Sequence, residues 1–269
     1  MSAIELKEIE FFLLDMDGTI YLGDRLIDGS RDFLHLVKEQ GKRYCFLTNN
    51  SSRGAEAYLK KLSGLGIEAT GEELVTSTDL LIYHLRKTDP GAVLYPVGTE
   101  QFERELSRAG FKLIHDYREG SRPDYVVIGF DTTLHYKKLF DTCRFVRDGV
   151  PYIATHPDLN CPLGEGVFMP DCGAIVAFVQ AATDVSPAEI VGKPNPLVIE
   201  YFRHTRNMDR DRMAIIGDRL YTDIRLGRKG NITSILVLSG ESTREDAADA
   251  ADRPDHVFDS IRQLYQALL

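Results

Sequence analysis

An apolar run, Phe11-Phe12-Leu13-Leu14, ends directly in Asp15-Met16-Asp17-Gly18-Thr19. Two carboxylates two residues apart are thereby set where a strand buried in apolar surroundings opens into a loop. A buried, unpaired carboxylate is costly, so two together call for a cation or a shared proton, and a metal ion is the simpler solution. A plain Asp-Gly turn uses the same residue types. A calcium loop does not fit, because it requires further acidic positions and flanking helices.

The same device recurs near the other end of the chain, where Ile215-Ile216-Gly217 leads into Asp218 and Asp223 follows five positions later. Asp15, Asp17, Asp218 and Asp223 could share one oxygen-rich pocket. Magnesium takes hard oxygen ligands and binds through one or two carboxylates plus substrate phosphate, so these four suffice without Cys or His. Two further segments suit a phosphate: Thr48-Asn49-Asn50-Ser51-Ser52 and Gly192-Lys193-Pro194-Asn195-Pro196. The first offers hydroxyl, amide and backbone donors. In the second, Lys193 sits in a stiff, turn-like setting, where its ammonium can neutralise a phosphoryl oxygen and a nearby nucleophile. Singly, a Thr-Asn-Asn cluster is a loop and a lysine is a solvated surface charge. In this order, each after a strand, the motifs are far more specific.

The elements that must position these residues are apolar runs of strand length: Phe11 to Leu14, Tyr44 to Leu47, Val93 to Val97, Tyr125 to Ile128, Met213 to Ile216 and Ser234 to Leu238. Most are near-continuous rather than alternating, which suits strands covered on both faces, and helical spacing such as Phe33, Leu34, Val37 lies between several of them. The pattern predicts a parallel α/β sheet. Gly41, and Gly64 with Gly66, are predicted helix stops. The candidate chemical residues follow the runs that begin at Phe11, Tyr44 and Met213, where open parallel sheets bind their ligands, so those three strands are expected to be neighbours. Residues 79–183 carry strand and helix signals but none of these motifs and read as an inserted domain, with 1–78 and 184–269 forming the core. The Ala- and Asp-rich stretch from Ala247 to Asp252 reads as a solvated helix.

The 269-residue chain is long enough for one large or two moderate domains, and 43% hydrophobic and 27% charged residues describe an ordinary globular protein. The net charge of −9 is spread without a basic block, which excludes a phosphate-neutralising stripe for nucleic acid. No stretch approaches transmembrane length, and Glu5, Lys7, Glu8 and Glu10 before a short apolar run do not make a signal peptide. Cys45, Cys143, Cys161 and Cys172 show no paired spacing, so free thiols and a cytoplasmic location are expected.

Taken together, the four motifs resemble those of the haloacid dehalogenase superfamily, and their order spans nearly the whole chain. With the insertion between Thr48 and Lys193, the Gly-Lys-Pro-Asn-Pro segment and Val237-Leu238-Ser239-Gly240, the pattern is similar to the NagD-like or p-nitrophenyl phosphatase branch, subfamily IIA. The resemblance implies a Rossmann-like core with a C2a-type α/β cap. It also implies Asp15 as nucleophile, Asp17 as general acid and base, and Thr48, Asn49 and Asn50 as phosphate ligands. Lys193 would be the charge clamp, and Mg2+ would be held by Asp15, Asp17, Asp218 and Asp223. Dehalogenases proper lack the second aspartate, so Asp17 favours phosphoryl chemistry. The expected substrate is a small phosphorylated metabolite such as a sugar phosphate, nucleotide, phosphoglycolate or pyridoxal phosphate. Phosphotransfer from Asp15 to another acceptor is a second reading, and phosphometabolite binding without turnover a third. The resemblance also allows a homodimer formed through the cap.

In the cap, Ala154-Thr155-His156-Pro157-Asp158 carries histidine where the family usually has asparagine. His156, Asp158 and Asp171 are candidate specificity residues, with helix capping the alternative for Asp171. The spacing of His156, Cys161 and Cys172 fits no standard zinc finger.

Overall fold

The computed structural model describes residues 5–118, 120–164 and 167–269. The chain divides into two compact units, one of Met1–Thr48, Tyr58–Val75 and Lys193–Leu269, the other of Asn49–Ala57 and Thr76–Gly192. The second unit thus runs past both ends of the 79–183 interval read from the sequence and also takes in residues 49–57.

The first unit is organised by a six-stranded sheet in the order His256–Phe258, Thr233–Val237, Met213–Gly217, Phe11–Leu14, Arg43–Thr48, Leu74–Thr76. The Phe11–Leu14 strand lies between Met213–Gly217 and Arg43–Thr48, parallel to both, and Leu14 stands opposite Ile216 on one side and Phe46 on the other. All four residues of this central strand are buried. Successive side chains of a strand point to opposite faces. Accordingly the Phe11 ring packs on Phe202 of the Leu197–Arg206 helix and the Phe12 ring on Phe33 of the Ser30–Glu39 helix, each at a centroid separation of 5.5 Å. Helices therefore cover both faces, as the continuous apolar run requires.

The predicted helix stops at Gly41 and Gly66 fall on left-handed backbone, with φ of 69° and 74°. The edge strands Leu74–Thr76 and His256–Phe258 are three residues each, too short to leave a pattern in the sequence. The helix expected to reach Asp252 occupies Arg244–Asp249 and buries only Ala247.

The second unit has its own five-stranded sheet, in the order Glu189–Ile190, Tyr152–Ala154, Tyr125–Ile128, Val93–Val97, Lys112–Leu113, with parallel pairings throughout. An antiparallel pair, Asn160–Gly164 with Val167–Pro170, stands apart from it. Its core gathers Tyr95, Val126, Ile128, Phe145, Tyr152 and Val179. Among the described residues no helix is long and apolar enough to cross a membrane.

Phe12 is fully buried in the central strand, packed on Phe33, so Phe12→Ala removes a ring from the sheet interior. The expected loss is about 3–5 kcal/mol of unfolding free energy, measured by urea unfolding followed by circular dichroism.

Candidate active site

Asp15 is the first residue past the Phe11–Leu14 strand, and its backbone N–H still donates to Ile216 O at 2.9 Å. Asp218 follows the neighbouring Met213–Gly217 strand directly, and Asp223 sits in a π-helical turn over Leu220–Ile224. Such turns are rare and concentrate at functional sites. One carboxylate oxygen from each of Asp15, Asp218 and Asp223 lies within 4.8 Å of the others.

Lys193 reaches this trio from the start of the last segment of the same unit. Its Nζ donates to Asp15 Oδ1 at 2.5 Å and to Asp223 Oδ1 at 2.7 Å, and the residue is 2% exposed. Burial by itself would lower the affinity of this ammonium for its proton, but the Asp15 and Asp223 carboxylates outweigh it and hold Lys193 above the ordinary lysine range. Burial also pushes the Asp223 carboxyl up to about 6 in spite of Lys193. Burial, reinforced by the charges of Asp15 and Asp223, raises Asp218 well above the usual carboxylate range. These shifts share one origin: three carboxylates crowd together, Lys193 bonds two of them, and Lys193, Asp218 and Asp223 are buried.

The donor set suits a divalent cation. Asp218 Oδ2 accepts from the Glu241 N–H at 2.7 Å, whereas its Oδ1 is buried and makes no hydrogen bond. A buried polar atom with no partner is the exception in a folded protein, and here it adjoins two further carboxylates that offer only hard oxygen. The backbone closes tightly on Asp218: a Cβ at either Gly18 or Gly240 would collide with its carboxylate. Ser239 Oγ donates to Gly18 O at 2.7 Å and ties the two loops together.

The other residues singled out in the sequence are distributed as follows. Asp17 is half-buried and lies outside the trio. Burial raises its carboxyl, with the nearby Lys61 ammonium opposing. Thr48 is buried at the end of its strand, on the same edge of the sheet as Asp15. Asn49 and Asn50 belong to the second unit. Asn49 Nδ2 donates to Asp158 Oδ2 at 3.1 Å, and Asn50 Oδ1 accepts from Ser52 N at 2.9 Å and Ser52 Oγ at 2.7 Å, closing a turn. His156, Asp158 and Asp171 are all buried, and Asp171 caps the Cys172–Thr183 helix by accepting from Cys172 N at 2.6 Å. Residues that no motif pointed to are Glu241, whose contribution is a backbone N–H, and Lys61. Lys61 comes from the Ala55–Gly64 helix and lies 3.9 Å from the Tyr21 ring centre. Neither has a sequence signal, since a backbone donor is type-independent and a helix lysine is ordinarily solvated.

Two family descriptions match the chain: haloacid dehalogenase-like hydrolase over residues 12–112 and HAD-hydrolase-like over residues 190–264. An acid sugar phosphatase of Staphylococcus aureus is 33% identical over 258 residues, spanning 96% of this chain and 97% of its own. The crystal structure of a 4-nitrophenylphosphatase from Thermotoga maritima superposes with a TM-score of 0.91 at 44% identity, covering 98% of this chain and 99% of that one. A glycerol phosphate phosphatase from Mycobacterium tuberculosis, solved in complex with magnesium, gives a TM-score of 0.88 at 32% identity over 96% of this chain and 77% of that one.

Lys193 supplies the only ammonium bonded to Asp15 and Asp223 among the described residues, and removing it leaves the three carboxylates facing one another. In metal-free protein Lys193→Met is expected to lower the unfolding free energy by about 3–5 kcal/mol. An unchanged urea midpoint would show that the cluster needs no such cation.

Proposed function

The chain belongs to the haloacid dehalogenase-like hydrolase family, and on that premise we propose that it is a magnesium-dependent phosphatase of small phosphomonoesters, sugar phosphates foremost, acting through an aspartyl-phosphate on Asp15. The observation that carries this reading is the clustering of Asp15, Asp218, Asp223 and Lys193 beyond the ends of adjacent parallel strands. The substrates named for the staphylococcal, Thermotoga and mycobacterial relatives are all phosphomonoesters, which supports it.

In the first half-reaction a carboxylate oxygen of Asp15 attacks phosphorus and the bond to the leaving oxygen breaks. Asp17 gives its proton to that oxygen, so the alcohol departs neutral. In the second half-reaction Asp17 takes a proton from water, the water oxygen attacks phosphorus, and the Asp15 carboxylate is regenerated as inorganic phosphate leaves. Covalent catalysis of this kind divides one difficult displacement into two easier ones. Lys193 fixes the Asp15 carboxylate through Oδ1 and supplies positive charge beside the incoming phosphoryl group. Thr48 offers a hydroxyl donor to its oxygens. Asp15, Asp218 and Asp223 would hold magnesium, which when bound screens the repulsion between the carboxylate nucleophile and the phosphate anion.

Asp15→Asn is nearly isosteric but removes the nucleophile, so phosphate release should fall to background while circular dichroism stays that of the wild type. Full activity in this variant would reject the covalent route. Asp17→Asn should lower kcat by roughly 10²- to 10⁴-fold, the usual contribution of general acid–base catalysis. Excess chelator should silence the enzyme and added Mg2+ restore it. Phosphate release from a panel of sugar phosphates, nucleotides, phosphoglycolate and pyridoxal phosphate ranks the substrates, and no release from any of them would overturn the phosphatase reading.

A further inference from the structure

We propose that His156, Asp158 and Asp171 form a second divalent-cation site, inside the inserted unit, for a borderline transition ion of the Zn2+ type. The three residues come from one loop and the start of the following helix, and all are buried, with exposures of 0%, 6% and 4%. One ligand atom from each lies within 4.8 Å of the other two.

The imidazole points to an ion. Nδ1 of His156 lies 3.3 Å from Asp158 Oδ2 and Nε2 lies 3.5 Å from Asp171 Oδ1, yet neither ring nitrogen makes a hydrogen bond. A histidine placed only to bridge two carboxylates would turn its N–H groups onto them. A fully buried ring with neither nitrogen hydrogen-bonded leaves one of them to join a carboxylate oxygen of Asp158 and one of Asp171 as donors to an ion. Two ionised carboxylates carry a charge of −2, which a divalent ion cancels.

The donor types separate this site from the Asp15 trio. Three carboxylates and no nitrogen suit magnesium, whereas an imidazole nitrogen shifts preference toward zinc and its neighbours. The ligands are also held in place, as outer hydrogen bonds hold the ligands of metal sites. Asp158 Oδ2 accepts from Asn49 Nδ2 at 3.1 Å, and Asp171 Oδ1 accepts from Cys172 N at 2.6 Å. Gly173 N donates to Asp158 O at 2.8 Å, and a Cβ at Gly173 would collide with Pro157 O, so the loop sits directly against the helix start. The cysteines nearby are not part of the set. Cys172 Sγ is engaged by the Thr155 hydroxyl at 3.6 Å and Ile128 O at 3.4 Å, and Cys161 lies outside the group.

The test is metal content, independent of turnover. Full-length protein stripped with chelator is returned to buffer with millimolar Mg2+, which occupies the hard-oxygen trio, then titrated with Zn2+ and analysed by mass spectrometry after gel filtration. Co2+ in place of Zn2+ gives a visible absorption band as a second readout. Wild type and Asp218→Asn should retain one Zn2+ per chain. His156→Asn, which keeps a polar side chain of similar reach, should bind it weaker by roughly 100-fold, with unchanged circular dichroism. Asp158→Asn serves the same purpose should the histidine variant misfold. Equal zinc content in wild type and a folded ligand variant overturns the proposal, as does loss of the ion in Asp218→Asn alone.

Discussion

Three carboxylates and one ammonium occupy a space that water barely enters, and most of the first unit can be understood as what makes that tolerable. Desolvation disfavours charge on Asp218 and Asp223, and each carboxylate makes the next harder to ionise. Lys193 offsets part of the excess and is held charged by it. Such a cluster persists only on a scaffold stable enough to carry it, and the scaffold is the apolar sheet interior beneath. The Phe11–Leu14 and Met213–Gly217 strands are buried along their whole lengths.

The sheet also explains why residues distant in sequence meet. Asp15 and Asp218 leave adjacent parallel strands at the same edge because Leu14 is opposite Ile216. Asp223 is returned to that edge by a π-helical turn. Gly18 and Gly240 let two loops close on the Asp218 carboxylate where any side chain would collide with it.

The inserted unit shows the same economy on a smaller scale. Its loop from His156 to Asp158 meets the start of a twelve-residue helix, and the Asp171 carboxylate caps that helix while facing the imidazole. Asn49, the residue after Thr48, is tied into this loop through Asp158. The chain first enters the inserted unit at Asn49 and finally leaves it at Gly192.

Local chemistry was legible in the sequence wherever an apolar run ended in a carboxylate. Burial on both faces forces continuous hydrophobicity, and a charge at the end of such a run stands out. The parallel α/β class, the three neighbouring strands and the Asp15 and Asp218 positions follow from that contrast, whereas Asp223 lies five residues past a strand end. What the tertiary structure alone decided are relations between atoms that no spacing encodes. Lys193 bridges Asp15 and Asp223 in particular, Asp17 stands apart from the trio, a backbone N–H from Glu241 holds Asp218, and His156 lies between Asp158 and Asp171 without a hydrogen bond. Sequence records residue types and their order along one chain. Direction, distance and shared burial arise only when strands far apart in that order are laid side by side.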